Sequence, residues 1–483
     1  MKYNLPDSWV LTTIEQICSP PQYGWTTSAS PTGKIKLLRT TDISSGKVNW
    51  STVPYCKKPP EDFNKYELKP DDIVISRAGS VGLSYLIKKP LKSVFASYLI
   101  RFKPLINVQY VKYFLESPSY WNAISERKLG IAVPNVNATK IKQIEIPIAP
   151  LPEQKRIVAK IEKLFTKLDA GVDALKKAKI LLKRYRQSVL KSAMEGKLTA
   201  KWREENKDKI EPASELLKRI LAERRAKWET DQLAAFKAKG KKPKDDSWKK
   251  KYKEPEPPDT TDLPELPEGW VWISVGHLGT SITGSTPKTS KREYYDNGMY
   301  PFYRPAELNN GYNVNTSEIK LSDEGLLVSR KIPKNTVMVT CIGATIGKTG
   351  VCRKEGATNQ QINSILGIDS IIVSEYCFFI FNTHFMQNQI IENSSSTTLP
   401  ILNKTKFDQL RFPICTINEQ KAIVKEIEKQ YSILDRLESE IIDNVIYANK
   451  LRRSILKVAF SGKSVEQNPE DGSAEELLEQ IKG

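Results

Sequence analysis

The strongest constraint on the fold of this chain is a duplicated segment. The string PLPEQKRIVAKIEKLF at residues 150–165 returns as TINEQKAIVKEIEKQY at residues 416–431. The same offset in numbering, 416 − 150 = 266, relates residues 134–148 and residues 185–197 to their own second copies. A fixed offset that is held over so long a stretch indicates a duplicated structural unit rather than a chance motif.

The duplicated segments predict two long helices. Apolar residues recur every seven positions between Lys, Arg and Glu, which is typical of a coiled coil. We expect helices over about residues 153–194 and 419–460, each on the order of 60 Å long at 1.5 Å per residue. One stripe of each must be buried, so the helices should pack on each other, antiparallel, because a whole domain intervenes between them in the sequence. The predicted seam residues are Ile157, Ile161, Leu164, Leu168, Leu175, Ala178, Leu182, Tyr185 and Val189 in the first copy and Ile423, Ile427, Leu434, Leu437, Ile441, Ala448, Leu451, Ile455 and Val458 in the second.

A shared Glu-Gln pair opens each helix and has two interpretations. A glutamate in the first turn meets the positive end of the helix dipole, Pro152 suits a first helical position, and Asn418 can act as an N-cap. Alternatively, the pair forms an interface to a partner protein. The residues concerned are Glu153, Gln154, Glu419 and Gln420.

The charge balance points to a polyanionic partner. Among 483 residues there are 75 Lys and Arg against 56 Asp and Glu, a formal net charge of +19 at pH 7. A chain this basic, without a low-complexity tract, is expected to face nucleic acid. It has no run of about eighteen apolar residues, and its beginning, MKYNLPDSWVL, lacks the apolar core of a signal peptide. We therefore expect no membrane contact and a cytoplasmic location.

The segments outside the helices predict two small α+β domains, which we call the heads. Short β-rich runs such as DIVIS and TVMVT alternate with Gly, Pro and Asn turns, and a helix pattern follows in each head. We expect a pseudo-twofold internal repeat in which two α/β heads are separated by a pair of long antiparallel coiled-coil helices. The predicted boundaries are head 1, residues 1–150; helix 1, 151–200; a charged, Pro-rich helical linker, 201–265; head 2, 266–416; and helix 2 with a C-terminal helix, 417–483.

Loops of the heads carry candidate nucleic-acid contacts. The stretches QYGWTTSASPTGK and TGSTPKTSKREYY hold Thr, Ser, Lys and aromatic residues, a mixture that suits phosphate contact and base-edge reading. Ordinary polar turns are the alternative. The candidate residues are Tyr23, Trp25, Thr26, Thr27, Lys34, Arg39, Arg77, Asn137 and Lys140 in head 1 and Thr286, Lys288, Lys291, Arg292, Arg304, Asn403 and Lys404 in head 2.

Signatures of catalysis and metal binding are missing. The six cysteines form no CxxC pair and there are two histidines, so a metal site is not expected. The string GATIGKT at residues 343–349 resembles a phosphate-binding P-loop but has one residue too few between its glycines, and GSVG in head 1 has no lysine. We predict no catalytic residue in this chain.

The order of these features resembles the DNA-specificity subunits of type I restriction-modification systems. The resemblance rests on two variable halves, each closing with a string like IPIAPLPEQ, and on long helices that end in LKSAMEGKLTAKW or LKVAFSGK. It departs from that pattern at Thr416-Ile417-Asn418. It implies two target recognition domains, each reading one half of a split asymmetric site on double-stranded DNA, with the coiled coil setting the spacing and binding two methyltransferase subunits. Motor-nuclease subunits would complete the complex, and S-adenosylmethionine, ATP and Mg²⁺ would belong to the partners, with no cofactor in this chain.

Two other classes of function stay open. A stand-alone DNA-modifying enzyme would need the missing motifs, whereas a structural coiled-coil scaffold would explain the helices but neither the charge nor the heads. Methyl transfer by the isolated chain would favour the enzyme, and a DNA titration at several salt concentrations would separate a scaffold from a DNA-binding protein.

Overall fold

The computed structural model describes residues 5–127, 135–395 and 398–482, and Pro134, which opens one repeated motif, lies outside them. The chain divides into two compact units. Unit 1 contains the chain up to Lys177 and again from Glu440, and unit 2 contains Ala178–Ser439. Each unit therefore combines one head with the beginning of one long helix and the end of the other.

Head 1, in unit 1, is built from three small sheets. β1 and β10 form an antiparallel pair, β2-β9-β6-β7 form an antiparallel sheet, and β3-β5-β4-β8 form a second sheet in which β4 and β8 are parallel. The strands are β1 Val10–Thr13, β2 Cys18–Tyr23, β3 Ala29–Ser30, β4 Lys36–Leu38, β5 Tyr55–Cys56, β6 Ile73–Ser76, β7 Ser84–Leu86, β8 Ser93–Phe95, β9 Leu99–Pro104 and β10 Glu145–Ile148.

The helices of head 1 are short, and one long helix follows them. The predicted helix pattern at residues 110–125 forms two helices, because Ser117 caps a new helix at Pro118. The helices are α1 Thr40–Ile43, α2 Phe63–Tyr66, α3 Val108–Phe114, α4 Pro118–Arg127, α5 Ala138–Lys142 and the long α6 Leu151–Met194.

Head 2, in unit 2, repeats this arrangement. β11 and β20 pair, β12-β19-β16-β17 form the antiparallel sheet, and β14-β13-β18-β15 form the second sheet, in which β13 and β18 are parallel. The strands are β11 Val271–Ser274, β12 Gly279–Thr283, β13 Tyr300–Tyr303, β14 Lys320–Leu321, β15 Lys331–Ile332, β16 Val337–Thr340, β17 Thr349–Val351, β18 Gly356–Thr358, β19 Ile362–Gly367 and β20 Arg411–Ile414.

The remaining helices include the predicted linker helix, which is longer than the helix pattern PASELLKRILAERRAKW at residues 212–228. It continues to Ala238, and the Pro-rich residues 252–267 after it form neither helix nor strand and include a turn at 261–262. The helices are α7 Ala200–Glu205, α8 Ala213–Ala238, α9 Asp323–Leu327, α10 Ser374–Phe381, α11 His384–Glu392, α12 Lys404–Asp408, α13 Ile417–Ala459 and α14 Ala474–Lys482. Single 3₁₀ turns cover Ile14–Ile17, Lys197–Thr199, Lys207–Lys209, Asp246–Lys251, Val275–His277, Arg292–Tyr294, Glu307–Asn310 and Pro469–Asp471.

The two long helices pair antiparallel, as predicted, within each unit. In unit 1 the beginning of α6 packs on the end of α13, where Ile157 and Ile161 join Leu456 and Ala459 in one apolar core. In unit 2 the end of α6 packs on the beginning of α13, and Val189 belongs to the same apolar core as Ile423 and Ile427.

One row of the predicted seam is confirmed. The other is confirmed at Ile157 and Ile423, which are buried, but is wrong by one residue further along the helices. Ile161, Ile427 and Leu434 are buried, but Tyr185 is 50% and Val458 is 42% exposed. There the second inward row lies four residues after a member of the first row, not three, and includes Phe165, Arg186, Tyr431 and Arg452. A heptad pattern permits either spacing, and two arginines in the true row hid it from hydrophobicity alone.

The predicted N-cap at Asn418 is also wrong. α13 begins at Ile417, and the backbone N–H of Gln420 already donates to the carbonyl oxygen of Thr416 at 2.9 Å. Asn418 therefore lies inside the first turn of the helix.

The structural repeat extends over more residues than the repeat that can be recognised in the sequence. The Tyr110 hydroxyl donates to the Pro147 carbonyl oxygen at 2.8 Å. Tyr376, at the equivalent position of the second copy, donates to the Pro413 carbonyl oxygen at 2.9 Å. Both pairs keep the offset of the repeated strings, since 376 − 110 and 413 − 147 each equal 416 − 150. The constant offset thus extends back to the first helix after β9, where sequence identity had faded.

Candidate nucleic-acid interface

Three chain segments of head 1 meet beyond the ends of β2, β4 and β8. The Trp25 N–H donates to the Phe95 carbonyl oxygen at 2.7 Å, and the Ser97 N–H donates to the Trp25 carbonyl oxygen at 3.1 Å. The Ala96 N–H donates to the carbonyl oxygen of Leu38, directly before Arg39, at 2.9 Å. These bonds hold the segment after β2, the start of α1 and the β8–β9 connection in one place, which we call the loop junction of head 1.

Head 2 has a loop junction built in the same way. The Ser285 N–H donates to the Thr358 carbonyl oxygen at 2.9 Å, and the Asn359 N–H donates to the carbonyl oxygen of Tyr303, directly before Arg304, at 3.2 Å. Backbone bonds rather than side chains define both junctions, so each can carry different side chains without changing shape.

A glycine stands at the corresponding point of each junction because no side chain fits there. A Cβ on Gly24 would lie 2.1 Å from the Ala96 carbonyl oxygen, and a Cβ on Gly284 would lie 2.2 Å from the Asn359 carbonyl oxygen. Both glycines therefore allow the close approach of two backbone segments.

An arginine and an acid three residues later form an ion pair at each junction. Arg39 Nη2 lies 2.9 Å from Asp42 Oδ1, and Arg304 Nη2 lies 3.2 Å from Glu307 Oε1 and 2.7 Å from Glu318 Oε2. The hydrogen bond to Asp42 raises the pKa of Arg39, and the bond to Glu318 raises the pKa of Arg304. Both guanidinium groups stay charged and are held in one orientation.

The aromatic candidates of head 1 are partly engaged within the chain. The Trp25 indole N–H donates to the Lys58 carbonyl oxygen at 2.7 Å, and its ring lies 5.2 Å from that of Tyr66. The Arg77 guanidinium lies 5.1 Å from the centre of the Tyr23 ring. Their exposed edges are restrained against the sheet, which lowers the entropy lost when a ligand stacks on them.

The other loop candidates divide into bonded and exposed side chains. The Thr27 hydroxyl accepts the Lys58 N–H at 3.1 Å, Thr286 donates to Gln360 Oε1 at 2.6 Å, and Lys291 pairs with Glu293 at 3.1 Å. Exposed side chains that no bond within the described chain fixes are those of Thr26, Lys34, Lys288 and Arg292.

Asn137 and Asn403 have a structural role that the sequence did not reveal. Each caps a short helix, α5 or α12, by accepting the backbone N–H of Lys140 or Lys406 at 2.9 Å. Lys404 pairs with Asp408 at 2.6 Å in the same helix. The cap leaves the Asn NH₂ group, not the carbonyl oxygen, as the atom that could face a base.

The four helix-opening residues predicted as a partner interface are buried, which favours their structural interpretation. Glu153, Gln154, Glu419 and Gln420 are at most 2% exposed. Gln154 donates to the Ala149 carbonyl oxygen and Gln420 to that of Cys415, both at 2.8 Å. A partner could not touch these side chains without opening the core, so the prediction that they contact a partner directly is corrected to a role inside the fold.

The two glutamates are stabilised by different neighbours. Glu153 accepts bonds from the Trp9 indole at 3.0 Å and from Gln467 at 2.6 Å, and burial raises its pKa although these bonds lower it. Glu419 instead accepts Arg203 at 2.5 Å and Thr199 at 2.7 Å. The repeat conserves the carboxylate and the place it occupies, but not its donors.

Sequence reasoning missed the β8–β9 side of the junction. Tyr98 is 60% exposed, and its carbonyl oxygen accepts the Arg77 N–H at 2.9 Å; Gln361 takes the same position in head 2, bonded to the Cys341 N–H at 2.7 Å. Asp42 and Glu307 were missed as well. An arginine followed three residues later by an acid, just after a buried strand in both heads, is the signal that could have found them.

Within the described ranges, no group of three or more His, Cys, Asp or Glu side chains is arranged to hold a metal ion. No described helix is both long enough and apolar enough to cross a membrane.

A protein-family model described as "Type I restriction modification DNA specificity domain" matches residues 6–179 and 267–446. The type I restriction enzyme EcoBI specificity subunit of Escherichia coli is 25% identical over 504 residues, covering 99% of this chain and 93% of the relative. The EcoKI specificity subunit of Escherichia coli strain K12 is 24% identical over 510 residues, covering 99% and 96%.

Two solved structures have a similar fold. A chain from a study of complex assembly and conformational transition of the type I R-M system aligns with a TM-score of 0.65 at 16% identity, covering 95% of this chain and 100% of that one. The crystal structure of the HsdS subunit from Thermoanaerobacter tengcongensis aligns with a TM-score of 0.55 at 16% identity, covering 96% and 99%.

Proposed function

Because this chain belongs to the type I restriction modification DNA specificity domain family, we propose that it is the DNA-specificity subunit of a type I restriction-modification system. Each head, corresponding to residues 1–150 or 266–416, reads one half of an asymmetric bipartite site on double-stranded DNA. The two long helices of the spacer, 151–200 and 417–483, fix the number of base pairs between the halves, and the linker at 201–265 joins the first helix to head 2.

One observation supports this proposal above the others: the heads share the backbone of a loop junction but carry different side chains at three of its positions. Trp25 corresponds to Ser285, Ala96 to Asn359 and Tyr98 to Gln361, each placed by the same backbone bonds. A fixed frame with exchangeable side chains is what two readers of different sequences require, because base edges are distinguished by donor and acceptor positions. A purely structural scaffold has no need of it.

Exposed apolar residues on the long helices support docking of partner subunits. Ile180 and Leu181 in unit 2 are 56% and 60% exposed. Their counterparts in the repeat, Ile446 and Tyr447 in unit 1, are 49% and 63% exposed. Large exposed apolar side chains on a charged helix mark contact surfaces. Two equivalent patches fit two copies of one partner, which we propose to be the methyltransferase subunit.

A cleft beside the first of these patches supports the same proposal. It has a volume of about 820 Å³ and is lined by Ile180, Met194 and Phe385 among others. Gln187 lies in it, and its Oε1 is buried without a hydrogen-bond donor among the described residues. The apolar lining of the cleft, rather than this buried atom, is the surface that a partner would cover.

We assign the chemistry to the partner subunits. Methyl transfer with S-adenosylmethionine belongs to the methyltransferase, and ATP- and Mg²⁺-dependent translocation and cleavage belong to motor-nuclease subunits. This chain supplies recognition alone and needs no cofactor.

Exchange of one head tests the proposal. The full chain is expressed with its methyltransferase subunits in a host without other methylation, with residues 1–150 replaced by the head of a related subunit, and methylated sites are mapped across the genome. We expect one half of the methylated site to change and the other half, with the spacer, to persist. The matched exchange of residues 266–416 should change only the other half. A change in both halves, or in neither, contradicts two independent readers.

A further inference from the structure

Arg39 and Arg304 occupy equivalent positions in the two heads. Each directly follows the strand that pairs in parallel with its neighbour, β4 with β8 and β13 with β18. In both heads the carbonyl oxygen before the arginine accepts the N–H of the next segment, from Ala96 or Asn359. The two guanidinium groups therefore start from corresponding points of the two loop junctions.

Both arginines are held by their acids in the same way. Asp42 Oδ2 accepts the backbone N–H of Arg39 at 2.8 Å, and Glu307 Oε2 accepts that of Arg304, also at 2.8 Å. The acid side chains are only 11% and 8% exposed, whereas the arginine side chains are 40% and 31% exposed. The acids are thus part of the frame, and the arginines face outward from it.

The side chains around the two arginines differ. Trp25 is replaced by Ser285 and Tyr98 by Gln361, so the surroundings change in size, aromaticity and hydrogen-bonding pattern. A donor that is retained while its neighbours change suits the part of the ligand that does not change. In DNA that part is the phosphate backbone, whose contacts position a protein without reading sequence.

The donors left free on the two guanidinium groups point to the same ligand. Arg39 Nε and Nη2 are bonded to Asp42. Arg304 Nε is buried without an acceptor in the described part of the chain, and its Nη2 donates to two acids. Among the described residues, the one nitrogen without a hydrogen-bond partner and open to solvent in both is Nη1. One nitrogen suits a phosphate oxygen, whereas reading of guanine O6 and N7 uses a matched pair of donors.

We propose that Arg39 and Arg304 bind DNA backbone phosphates in equivalent positions, so that both heads dock on the backbone in the same way. Asp42 and Glu307 are the positioning residues that orient the two arginines. The inference rests on the proposed function and adds to it a division of labour: retained arginines position, and their variable neighbours read.

The experiment uses the full chain assembled with its methyltransferase subunits. Binding is measured to a duplex carrying the site found by methylation mapping and to a scrambled duplex of equal length and composition, between about 50 and 200 mM salt. The variants are Arg39→Gln and Arg304→Gln. The charge-matched controls are Lys89→Gln and Lys354→Gln, exposed lysines that precede β8 and β18 and so lie at the opposite end of each parallel strand pair.

Each arginine variant should weaken binding to both duplexes by the same factor, about tenfold, and reduce the slope of log K against log salt by about one. The methylated sequence should stay unchanged, and the lysine controls should bind as the wild type does. Asp42→Asn and Glu307→Gln keep the arginine charge but lose its aim, so they should weaken both duplexes by about threefold with the salt slope retained.

Thermal unfolding of each complex identifies variants that lose structure; for those, Arg39→Lys and Arg304→Lys replace glutamine and should retain the salt slope. Relaxed sequence preference at one base position would make the arginine a base reader and overturn the inference, as would unchanged affinity for both duplexes. A wild-type complex that does not distinguish the two duplexes would instead overturn the proposed function.

Discussion

Arg186 Nη2 lies 2.5 Å from Asp435 Oδ1, joining the end of α6 to the beginning of α13. The counterparts of these residues in the repeat, Arg452 and Asp169, are also bonded, with the parts exchanged between the helices. Each arginine also lies over an aromatic ring, Arg186 at 5.0 Å from Tyr431 and Arg452 at 4.1 Å from Phe165. The duplication is therefore reciprocal: α6 contributes the arginine and α13 the aspartate in unit 2, and the two helices exchange these contributions in unit 1.

This pair predicts a measurable coupling. Asp435 is 68% exposed, so solvent screens the pair, and we expect a coupling free energy of about 0.5–1 kcal/mol from the double-mutant cycle Arg186→Ala and Asp435→Ala. Chemical denaturation of the four proteins measures it. The pair Lys176 and Asp173, bonded within one helix turn and about two-thirds exposed, is the control and should give less. Equal couplings would show that the interhelical pair adds nothing.

Gln154 and Gln420 predict a loss of stability rather than of partner binding. Gln420 bonds the Ile371 and Cys415 carbonyl oxygens and the Val373 N–H at 2.8–2.9 Å. Gln420→Ala leaves these buried groups unpaired and should cost about 2–4 kcal/mol of unfolding free energy. Gln154→Ala breaks fewer bonds and should cost less.

The exposed neighbour Lys421, replaced by Ala, is the matched control for Gln420 and should change the unfolding free energy little. Normal stability of Gln420→Ala together with lost methyltransferase binding would restore the interface interpretation.

The glycines of the junctions predict opposite effects from the glycine of the helix. Gly24→Ala and Gly284→Ala push a Cβ into backbone oxygens and should destabilise one head, by more than about 2 kcal/mol, and weaken recognition of one half-site. Gly171, inside α6, has nothing within 4 Å of a new Cβ, so Gly171→Ala should stabilise the chain by about 0.5–1 kcal/mol. Thermal unfolding measures both, and a tolerated Gly24→Ala would contradict the close approach.

His277 predicts a pH dependence of stability. The side chain is 3% exposed, and burial lowers its pKa from 6.5 to about 4. Between these values the unfolded chain binds the proton and the folded chain does not, so stability is lost as pH falls from about 6.5 to 4, with a slope of up to about 1.4 kcal/mol per pH unit. His277→Gln should remove this contribution. The difference in unfolding free energy between the two proteins should be flat above pH 7 and fall below it; a difference that is constant down to pH 4 would contradict the prediction.

The proposal that the two long helices fix the distance between the half-sites predicts how insertions change the number of base pairs between them. Four residues inserted after Ala178, and four after its counterpart Asn444, lengthen each helix by about 6 Å and nearly restore its facing, since a residue adds 1.5 Å and turns about 100°. We expect the methylated spacer to lengthen by one or two base pairs with both half-sites kept. Two-residue insertions turn the seam outward and should abolish binding. An active four-residue variant with the original spacer would show that the helices do not set the distance.

The elements whose signal is local or repeated could be predicted from the sequence. The constant offset between the two copies established the duplication. Apolar residues that recur every seven positions, such as Ile161 and Leu168 or Ile427 and Leu434, predicted the ends of both long helices to within two residues. Because the apolar stripe of each long helix must be buried, the two helices had to pack on each other, and the order of domains along the chain indicated an antiparallel arrangement. Family resemblance added the function. These conclusions follow from periodicity, which a single sequence carries in full.

The contacts between side chains, in contrast, depend on how the chain folds in three dimensions. A heptad pattern does not specify whether the second inward row lies three or four residues after the first. Packing placed Arg186 and Arg452 in that row, because each contacts an aromatic ring and a carboxylate of the other helix. Asn137 and Asn403 became helix caps through local bonds to Lys140 and Lys406. Glu153 and Glu419 were buried because their donors Gln467 and Arg203 come from segments far away in sequence. The correspondence between Arg39 in head 1 and Arg304 in head 2 was likewise visible only in the structure. It depends on the registers of β4 with β8 and of β13 with β18, non-local contacts that no local pattern specifies.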